Sequence, residues 1–165
     1  MGIRLATTVK KSCDSATPVT TRVTTDCAEI PETIVFDAEP LIACFCNEPG
    51  SDTVETYVDA IEGAADGYIS AINLAEVHYI VRAIDGEDRA DAVVDVLEES
   101  GIRRIDTEQT WARAADFKFR YSPALGDAFA LGTAAHVSGV LLVGADDGYD
   151  DVIGVPITRF WTEPA

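Results

Sequence analysis

The sequence predicts an α/β fold, in which helices cover both faces of a mainly parallel sheet. Short apolar runs rich in β-branched residues alternate with longer segments of helical periodicity. The chain has 165 residues, of which 47% are hydrophobic, so it can bury a substantial core in one domain. Taken together, these observations indicate a single globular α/β domain.

The first half of the domain is predicted to run strand, helix, strand, helix. Residues 33–36, Thr-Ile-Val-Phe, have the composition of a short buried strand. An apolar helical stripe covers residues 54–61, and the Tyr-Ile-Ser segment at 68–70 predicts a second short strand. That strand leads directly into a helix that contains Glu76.

The second half repeats the alternation. Apolar positions over residues 92–97 predict a helix that Ser100 and Gly101 end, and residues 102–105 form the next predicted strand. A further helix is expected over 111–119, with its apolar stripe running from Trp111 to Phe119 before a turn at Ser122-Pro123. A helix through Asp127 and a strand at residues 140–143 complete the order.

Two acidic residues follow predicted strands. Asp37 comes directly after the strand at 33–36, and Asp146 follows the strand at 140–143. In open α/β sheets, ligands bind beyond the carboxyl ends of the strands. Both carboxylates are therefore expected to face one crevice.

Two further acids lie within apolar helical patterns. Ile72, Glu76 and Ile80 are spaced four residues apart, so Glu76 is predicted on the stripe that packs inward, and Asp127 with Leu131 repeats the arrangement. A buried carboxylate is costly unless a metal ion or another partner compensates its charge. The simpler explanation for each residue is an acid at a helix edge that reaches solvent.

The order of these motifs resembles the PIN-domain nucleases, and within them it is most similar to the VapC-like ribonuclease toxins. Four segments carry the resemblance: Ile-Val-Phe-Asp-Ala, Ile-Ser-Ala-Ile-Asn-Leu-Ala-Glu-Val, Leu-Gly-Asp-Ala-Phe-Ala-Leu-Gly and Leu-Leu-Val-Gly-Ala-Asp. It extends from about Ile34 to Phe160. It implies a three-layer α/β/α sandwich around a parallel sheet of about five strands.

The resemblance also implies the site. Asp37, Glu76, Asp127 and Asp146 match the four acidic positions of the family. Asn73 and Asp147 are accessory positions: Asn73 lies one turn before Glu76 and could position a water, and Asp147 is the alternative to Asp146. The chain departs from the family pattern two residues before Asp146, where Gly144 stands instead of the usual Ser or Thr and a hydroxyl is missing.

Four convergent carboxylates suit Mg²⁺ or Mn²⁺, which prefer oxygen ligands. Such an ion can activate a water and stabilise the charge of a phosphoryl group under attack. Without the ion, carboxylates this close raise one another's proton affinity, so metal binding and proton release are expected to be linked.

Charge divides the chain unevenly. Residues 1–30 carry four basic and three acidic side chains, whereas the remainder carries eight basic and 26 acidic ones and a single lysine, Lys118. The first segment is also rich in Thr and lacks apolar periodicity. Residues 1–31 are therefore predicted to be a disordered extension, and residues 32–165 a single domain.

The acidic body permits two interpretations. It argues against nucleic-acid binding, which normally draws on Lys and Arg, or it reflects a halophilic protein in a very salty cytoplasm. The spread of the acids over many helices favours the halophilic interpretation. Phosphate contact would then depend on the metal and on a few arginines, for which surface salt bridges are the simpler role: Arg82, Arg103, Arg104, Arg113 and Arg120.

Other reactive side chains do not form a recognisable site. Cys44 and Cys46 have no second pair at zinc-ligand spacing, Cys13 and Cys27 fall in the extension, and all four are expected to be reduced thiols. The two histidines, His78 and His136, are expected on helix surfaces. No apolar run approaches the roughly 18 residues of a membrane span, and the first residues lack a secretory pattern, so a cytoplasmic protein is expected.

The resemblance implies a Mg²⁺- or Mn²⁺-dependent endoribonuclease, the toxin of a toxin–antitoxin pair. RNA would be its substrate, a protein antitoxin its partner, and the early helices, about Ser51 to Ile84, a homodimer surface with Tyr57, Tyr79 and Ile80. A PIN nuclease in RNA processing or decay, and a catalytically inactive PIN-like binding module, are the alternatives. A phosphatase with an aspartyl nucleophile is disfavoured because Glu39 stands where its second aspartate would be.

Overall fold

The protein is described by a computed structural model over residues 30–161. The predicted extension lies outside the described residues except for its last two positions. The strands are β1 (Thr33–Phe36), β2 (Asp66–Ser70), β3 (Ile102–Ile105), β4 (Val140–Val143) and β5 (Ile157–Arg159). The helices are α1 (Ala38–Cys46), α2 (Ser51–Gly63), α3 (Ala71–Asp85), α4 (Glu87–Glu99), α5 (Thr107–Tyr121) and α6 (Leu125–Val137), with a 3₁₀ turn at Asp147–Tyr149.

The five strands form one parallel sheet in the order β3-β2-β1-β4-β5. β1 is central and pairs with β2 on one side and β4 on the other, with Val35 opposite both Tyr68 and Leu141. Parallel strands buried on both faces are expected to be continuously apolar, as β1 and β4 are. The predicted five-stranded parallel sheet is confirmed.

Two separate cores cover the faces of the sheet. Ile34 and Phe36 of β1 point into the first core with buried residues of α1 to α4, whereas Val35 points into the second core with α5 and α6. This alternation follows from the two-residue side-chain period of a strand. The molecule is therefore the three-layer α/β/α sandwich that the resemblance implied.

Helices α5 and α6 pack unusually closely because Gly132 lies between them. A Cβ at position 132 would approach the backbone nitrogen of Ala114 to 2.9 Å. The glycine therefore allows the two backbones to meet, and it fixes α6, which carries Asp127, against its neighbour.

Two predicted helix faces are wrong. In α3, Leu74, Val77 and Val81 are buried, whereas the Ile72–Glu76–Ile80 stripe lies at the margin and is only half-buried. The reason is that apolar residues occupy more than one stripe of α3, so the four-residue spacing alone did not identify the packed face.

In α5, the buried residues are Thr110, Ala114 and Phe117, so Ala114 is the one member of the predicted stripe that is buried. Trp111 is 62% exposed and Phe119 87% exposed. The large aromatic side chains suggested burial, but Ala114 is the small residue that the close approach to α6 requires.

One of the three residues predicted for the homodimer surface, Tyr57, does not lie on the surface. Tyr57 is buried in the first core and cannot contribute to a surface, whereas Tyr79 is 60% exposed and Ile80 is half-buried. Ile84, near the end of α3, is also 60% exposed. An apolar surface on α3 therefore remains without Tyr57.

Most of the predicted phosphate-binding arginines form surface ion pairs. Arg82 pairs with Glu87, Arg104 with Asp106, Arg120 with Asp116, and Arg103 with Asp66. Such exposed pairs contribute little to stability. The simpler role thus applies to four of the five arginines, and among the described ion pairs Arg113 takes part in none.

The remaining sequence expectations concern single side chains. Cys44 packs against the first core and is half-buried, and His78 lies beside Asp91 at the surface. His136 is exposed on α6. Among the described helices, none is both long enough and apolar enough to cross a lipid bilayer.

Candidate metal centre

The topology of the sheet creates a crevice between β1 and β4. The chain builds β1, β2 and β3 in one direction and then returns to the other side of β1 for β4 and β5. Ligands in open α/β sheets bind at such a switch point, beyond the carboxyl ends of the strands. Asp37 directly follows β1, and the loop after β4 carries Asp146, so the structure places both acids at this edge.

Asp37 is the buried centre of the crevice, with only 7% of its surface exposed. The Nδ2 of Asn73 donates a hydrogen bond to its Oδ1 at 2.8 Å, and the Tyr149 hydroxyl donates one to its Oδ2 at 2.9 Å. Each carboxylate oxygen therefore has one side-chain donor, and both of these side chains approach from other segments of the chain.

The pKa of Asp37 is raised from 3.8 to about 7, and burial is the largest cause. Hydrogen bonds from the Ala38 backbone and Tyr149 lower it, and the negative charges of Asp127 and Glu76 contribute to the net increase. Burial also raises the pKa of Tyr149, and the negative charges of Asp37 and Asp127 add to the increase. Tyr149 therefore remains a hydrogen-bond donor.

The start of α3 orients the Asn73 amide. Ser70 is the N-cap of α3 and accepts a hydrogen bond from the backbone N–H of Asn73 at 3.0 Å. Its hydroxyl also donates to Asn73 Oδ1, which directs the amide nitrogen toward Asp37 and the Gly126 carbonyl. Asn73 is fully buried and its amide contacts Asp37; the expectation that it could position a water stays a prediction.

Glu76 reaches the crevice one turn further along α3. It is half-buried, and its carboxylate lies over the start of α6, where a Cβ at Gly126 would approach its Oε2 to 2.9 Å. Burial and the charge of Asp127 raise the pKa of Glu76. The charges of Asp37, Glu76 and Asp127 therefore act on one another.

Asp127 lies in the first turn of α6, where its Oδ2 accepts a hydrogen bond from the backbone N–H of Ala124 at 3.1 Å. An acid at this position stabilises the positive end of a helix. The residue is half-buried. It thus has a local structural role in addition to its place beside Asp37 and Glu76.

The structure does not bring Asp146 into the same group. Its carboxylate is exposed and accepts a hydrogen bond from the backbone N–H of Gly148 at 2.8 Å. Its charge acts on Glu39, whose pKa is raised first by burial and then by Asp146. Asp147, the alternative fourth acid, is exposed at the start of the 3₁₀ turn.

Glu39 fills the corner that Gly144 leaves open. A Cβ at position 144 would overlap the Glu39 carboxylate. The space that a side chain at position 144 would occupy is therefore taken by a carboxylate from α1. This fifth acid lies next to Asp146 and makes the edge of the crevice more negative.

Arg159 holds the loop that carries Asp146. Its Nη1 donates to the carbonyl oxygens of Gly144 and Asp146 at 2.6 and 2.8 Å, and its Nη2 donates to Asp150 at 2.6 Å. The side chain is 22% exposed. Three bonds from one guanidinium fix the loop between β4 and β5 on the sheet edge.

The comparison with family models assigns the chain to a family. The model for the PIN domain matches residues 34–154, which is most of the described chain. The chain belongs to the PIN domain family. All four acids of the predicted site lie within the matched range.

Solved structures share the fold of this PIN domain at low sequence identity. A chain of VapBC2 from Rickettsia felis, bound to a promoter DNA fragment, has a TM-score of 0.64 and 13% identity, and the match covers 77% of this chain and 98% of that one. A chain of a toxin–antitoxin complex from Klebsiella pneumoniae has a TM-score of 0.61 and 19% identity, and the match covers 79% of this chain and 99% of that one.

A third structure is a toxin from Mycobacterium tuberculosis that cleaves the sarcin–ricin loop. It has a TM-score of 0.56 and 13% identity, and the match covers 66% of this chain and 86% of that one. At these identities the likeness establishes the fold. The search of curated proteins found no match to the sequence of this chain.

The donor chemistry of this PIN domain fits a hard divalent cation. Asp37, Glu76 and Asp127 offer only oxygen, and among residues 30–161 no basic side chain forms an ion pair with any of them. In the described range no three His, Cys, Asp or Glu side chains converge into a ready ligand set. The group is therefore an uncompensated negative cluster whose side chains would have to move together to surround an ion.

Sequence analysis missed four residues of this PIN-domain site. Tyr149 gave no signal because it lies 112 residues from Asp37, and Glu39 and Arg159 are ordinary surface types in sequence. Ser70 had a detectable signal, since Ser-x-x-Asn at the start of an apolar helix is a capping pattern.

Proposed function

We propose that this protein is a Mg²⁺- or Mn²⁺-dependent endoribonuclease that hydrolyses RNA phosphodiesters, and that it is the toxin of a VapBC-type pair. The observation that carries the proposal is the position of Asp37, Glu76 and Asp127. They form an uncompensated acidic cluster at the switch point of a PIN fold. Buried carboxylates without basic partners are expensive, and a bound cation offsets that cost.

Asp37, Glu76 and Asp127 would hold the cation, with Asp146 and the accessory Asp147 at the rim. When bound, the ion would polarise a phosphoryl oxygen and activate a water. Asn73 and Tyr149 keep the Asp37 carboxylate oriented from both sides. Glu76 is only partly buried, so its carboxylate would also orient the attacking water.

The toxin assignment is supported by the fold relatives. They include chains from toxin–antitoxin complexes and a toxin that cleaves the sarcin–ricin loop. By this proposal a protein antitoxin covers the acidic crevice in the cytoplasm. The exposed Tyr79 and Ile84 of α3 support a homodimer through the early helices, which sedimentation of wild type beside Tyr79→Lys would test.

The deciding experiment is cleavage of total cellular RNA by purified protein. The reaction is carried out in concentrated KCl, because we also propose that the protein is halophilic. It is run once with Mg²⁺, once with Mn²⁺ and once with a chelator. Asp37→Asn keeps the shape of the side chain and removes its charge. Asp95→Asn is the matched control, since Asp95 is exposed on α4.

Cleavage by wild type and Asp95→Asn should require the metal, and Asp37→Asn should cleave at least about a hundredfold more slowly, because oxygen ligands of this kind support most of the rate. Equal cleavage by Asp37→Asn would contradict the proposed site. A folded protein that binds an antitoxin but cuts no RNA would favour the alternative, an inactive binding module. Two observations support that alternative: the departure from the family pattern at Gly144, and the absence of a converged ligand set in residues 30–161.

A further inference from the structure

Tyr149 connects the two loops that border the crevice. It lies at the end of the 3₁₀ turn after β4 and is 3% exposed. Its ring packs in the second core, and its hydroxyl reaches across to Asp37 at the end of β1. A phenylalanine would fill the same core space, so packing alone does not account for the hydroxyl.

The hydroxyl has a defined function in the local geometry. A buried hydroxyl is costly unless it is hydrogen-bonded, and the partner of this one is a carboxylate oxygen at 2.9 Å. Asn73 bonds the other oxygen of the same carboxylate at 2.8 Å. With one side-chain donor on each oxygen and the Ala38 backbone as a third donor, the carboxylate plane is fixed, and the group retains a lone pair for a further ligand.

We propose that Tyr149 is a positioning residue for Asp37: its hydroxyl, together with Asn73, holds the carboxylate in the orientation in which it binds a divalent cation. This inference rests on the proposed function for its effect on cleavage. The contact itself belongs to the metal-free protein, so it can be tested separately. Tyr149 touches neither substrate nor cation in this role.

The test uses Tyr149→Phe, which keeps the ring and removes only the hydroxyl. Tyr121→Phe is the matched control, because the Tyr121 hydroxyl accepts a bond from the Ile153 backbone in the same region and contacts no carboxylate of the crevice. Mn²⁺ binding is measured by calorimetry on each full-length protein without RNA. The kcat and KM for a short cleavable RNA are measured in parallel.

Tyr149→Phe should weaken Mn²⁺ binding and lower kcat by about tenfold each, because a hydrogen bond to a charged group corresponds to at least this factor. KM for the RNA should change by less than about twofold, and Tyr121→Phe should match wild type in both measurements. Unchanged or tighter Mn²⁺ binding by Tyr149→Phe overturns the proposal, as does an equal loss in Tyr121→Phe.

A double-mutant cycle in chelator separates this inference from the proposed function. The unfolding free energies of wild type, Tyr149→Phe, Asp37→Ala and the double variant are compared, because alanine at position 37 removes every hydrogen bond between that side chain and the Tyr149 hydroxyl. If the hydroxyl acts through Asp37, removing it should have a different effect in the two backgrounds, even if the wild type neither binds Mn²⁺ nor cuts RNA. Strict additivity overturns the positioning role, whereas coupling without RNA cleavage leaves it intact and rejects only the nuclease.

Discussion

At the scale of single residues, Asp37 determines the character of the site. It is almost fully buried and lies beside two other acids, and its donors Asn73 and Tyr149 only partly offset the loss of water. The folded protein therefore favours the protonated form of this carboxyl. Such a residue lowers stability at neutral pH, which is a typical compromise at functional sites.

Asp37→Asn should stabilise the metal-free protein at neutral pH. The folded pKa of about 7 lies above the ordinary 3.8, so the folded state binds the extra proton between these values and the unfolding free energy of wild type falls as pH rises through this window. The neutral amide escapes this loss. It can still accept from Asn73 and donate to the Tyr149 oxygen.

The advantage of Asp37→Asn should grow from near zero at pH 4 to a plateau above pH 7 of up to about 4 kcal/mol, at about 1.4 kcal/mol per pH unit. Urea denaturation in chelator at several pH values measures it. Asp95→Asn serves as the reference, and its curve should run parallel to wild type. If the stability of Asp37→Asn also runs parallel to that of wild type across the pH range, burial does not penalise the charged form of the Asp37 carboxyl.

At the scale of elements, the site depends on how closely α3 and α6 approach each other. Gly126 at the start of α6 accepts a weak bond from Asn73 at 3.4 Å and lies beneath the Glu76 carboxylate. The absence of a side chain at this position therefore places the acids of two helices side by side. Gly132 has the corresponding role between α5 and α6.

Gly126→Ala should lower cleavage about tenfold without unfolding the protein. The added Cβ would lie 2.9 Å from Glu76 Oε2, so the flexible carboxylate must leave its present position. Alanine is also the better helix former, so stability should stay equal or rise by up to about 1 kcal/mol. RNA cleavage and thermal unfolding are measured together.

Gly63→Ala is the control for this substitution, because a Cβ there meets nothing within 4 Å. It should gain stability in the same way and retain full cleavage. If Gly126→Ala cleaves as fast as Gly63→Ala, the exact position of Glu76 is unimportant for the reaction.

At the scale of the whole molecule, the formal net charge of −17 dominates behaviour in solution. Like charges spread over most described helices repel one another in the compact state. Concentrated salt shortens the Debye length to roughly 3 Å at 1 M. The fold should therefore be most stable in solutions of high ionic strength.

The unfolding midpoint should rise by about 10 °C between about 0.1 M and 2 M KCl, corresponding to about 3 kcal/mol for a domain of this size. Thermal unfolding monitored by circular dichroism at constant pH measures this. Sucrose at matched osmolality is the control for excluded-volume effects and should give a smaller rise. A midpoint independent of KCl would contradict the halophilic interpretation.

The extent to which the sequence predicted the structure also depends on scale. The strands β1 and β4 were predictable because their β-branched runs are short and bounded, and Asp37 followed directly from β1. The packed face of α3 was not, because several of its faces are apolar. Contacts between distant segments, such as Tyr149 with Asp37, depend on the complete fold and leave no local pattern.

The order of the strands also has a consequence for synthesis. β1 emerges early from the ribosome but must wait for β4, more than a hundred residues later, before its second edge is paired. Tyr149 and Arg159 arrive later still. A nascent chain therefore contains Asp37 and Glu76 long before the crevice around them exists, and whatever chemistry the crevice performs is withheld until β4 and Tyr149 have been added.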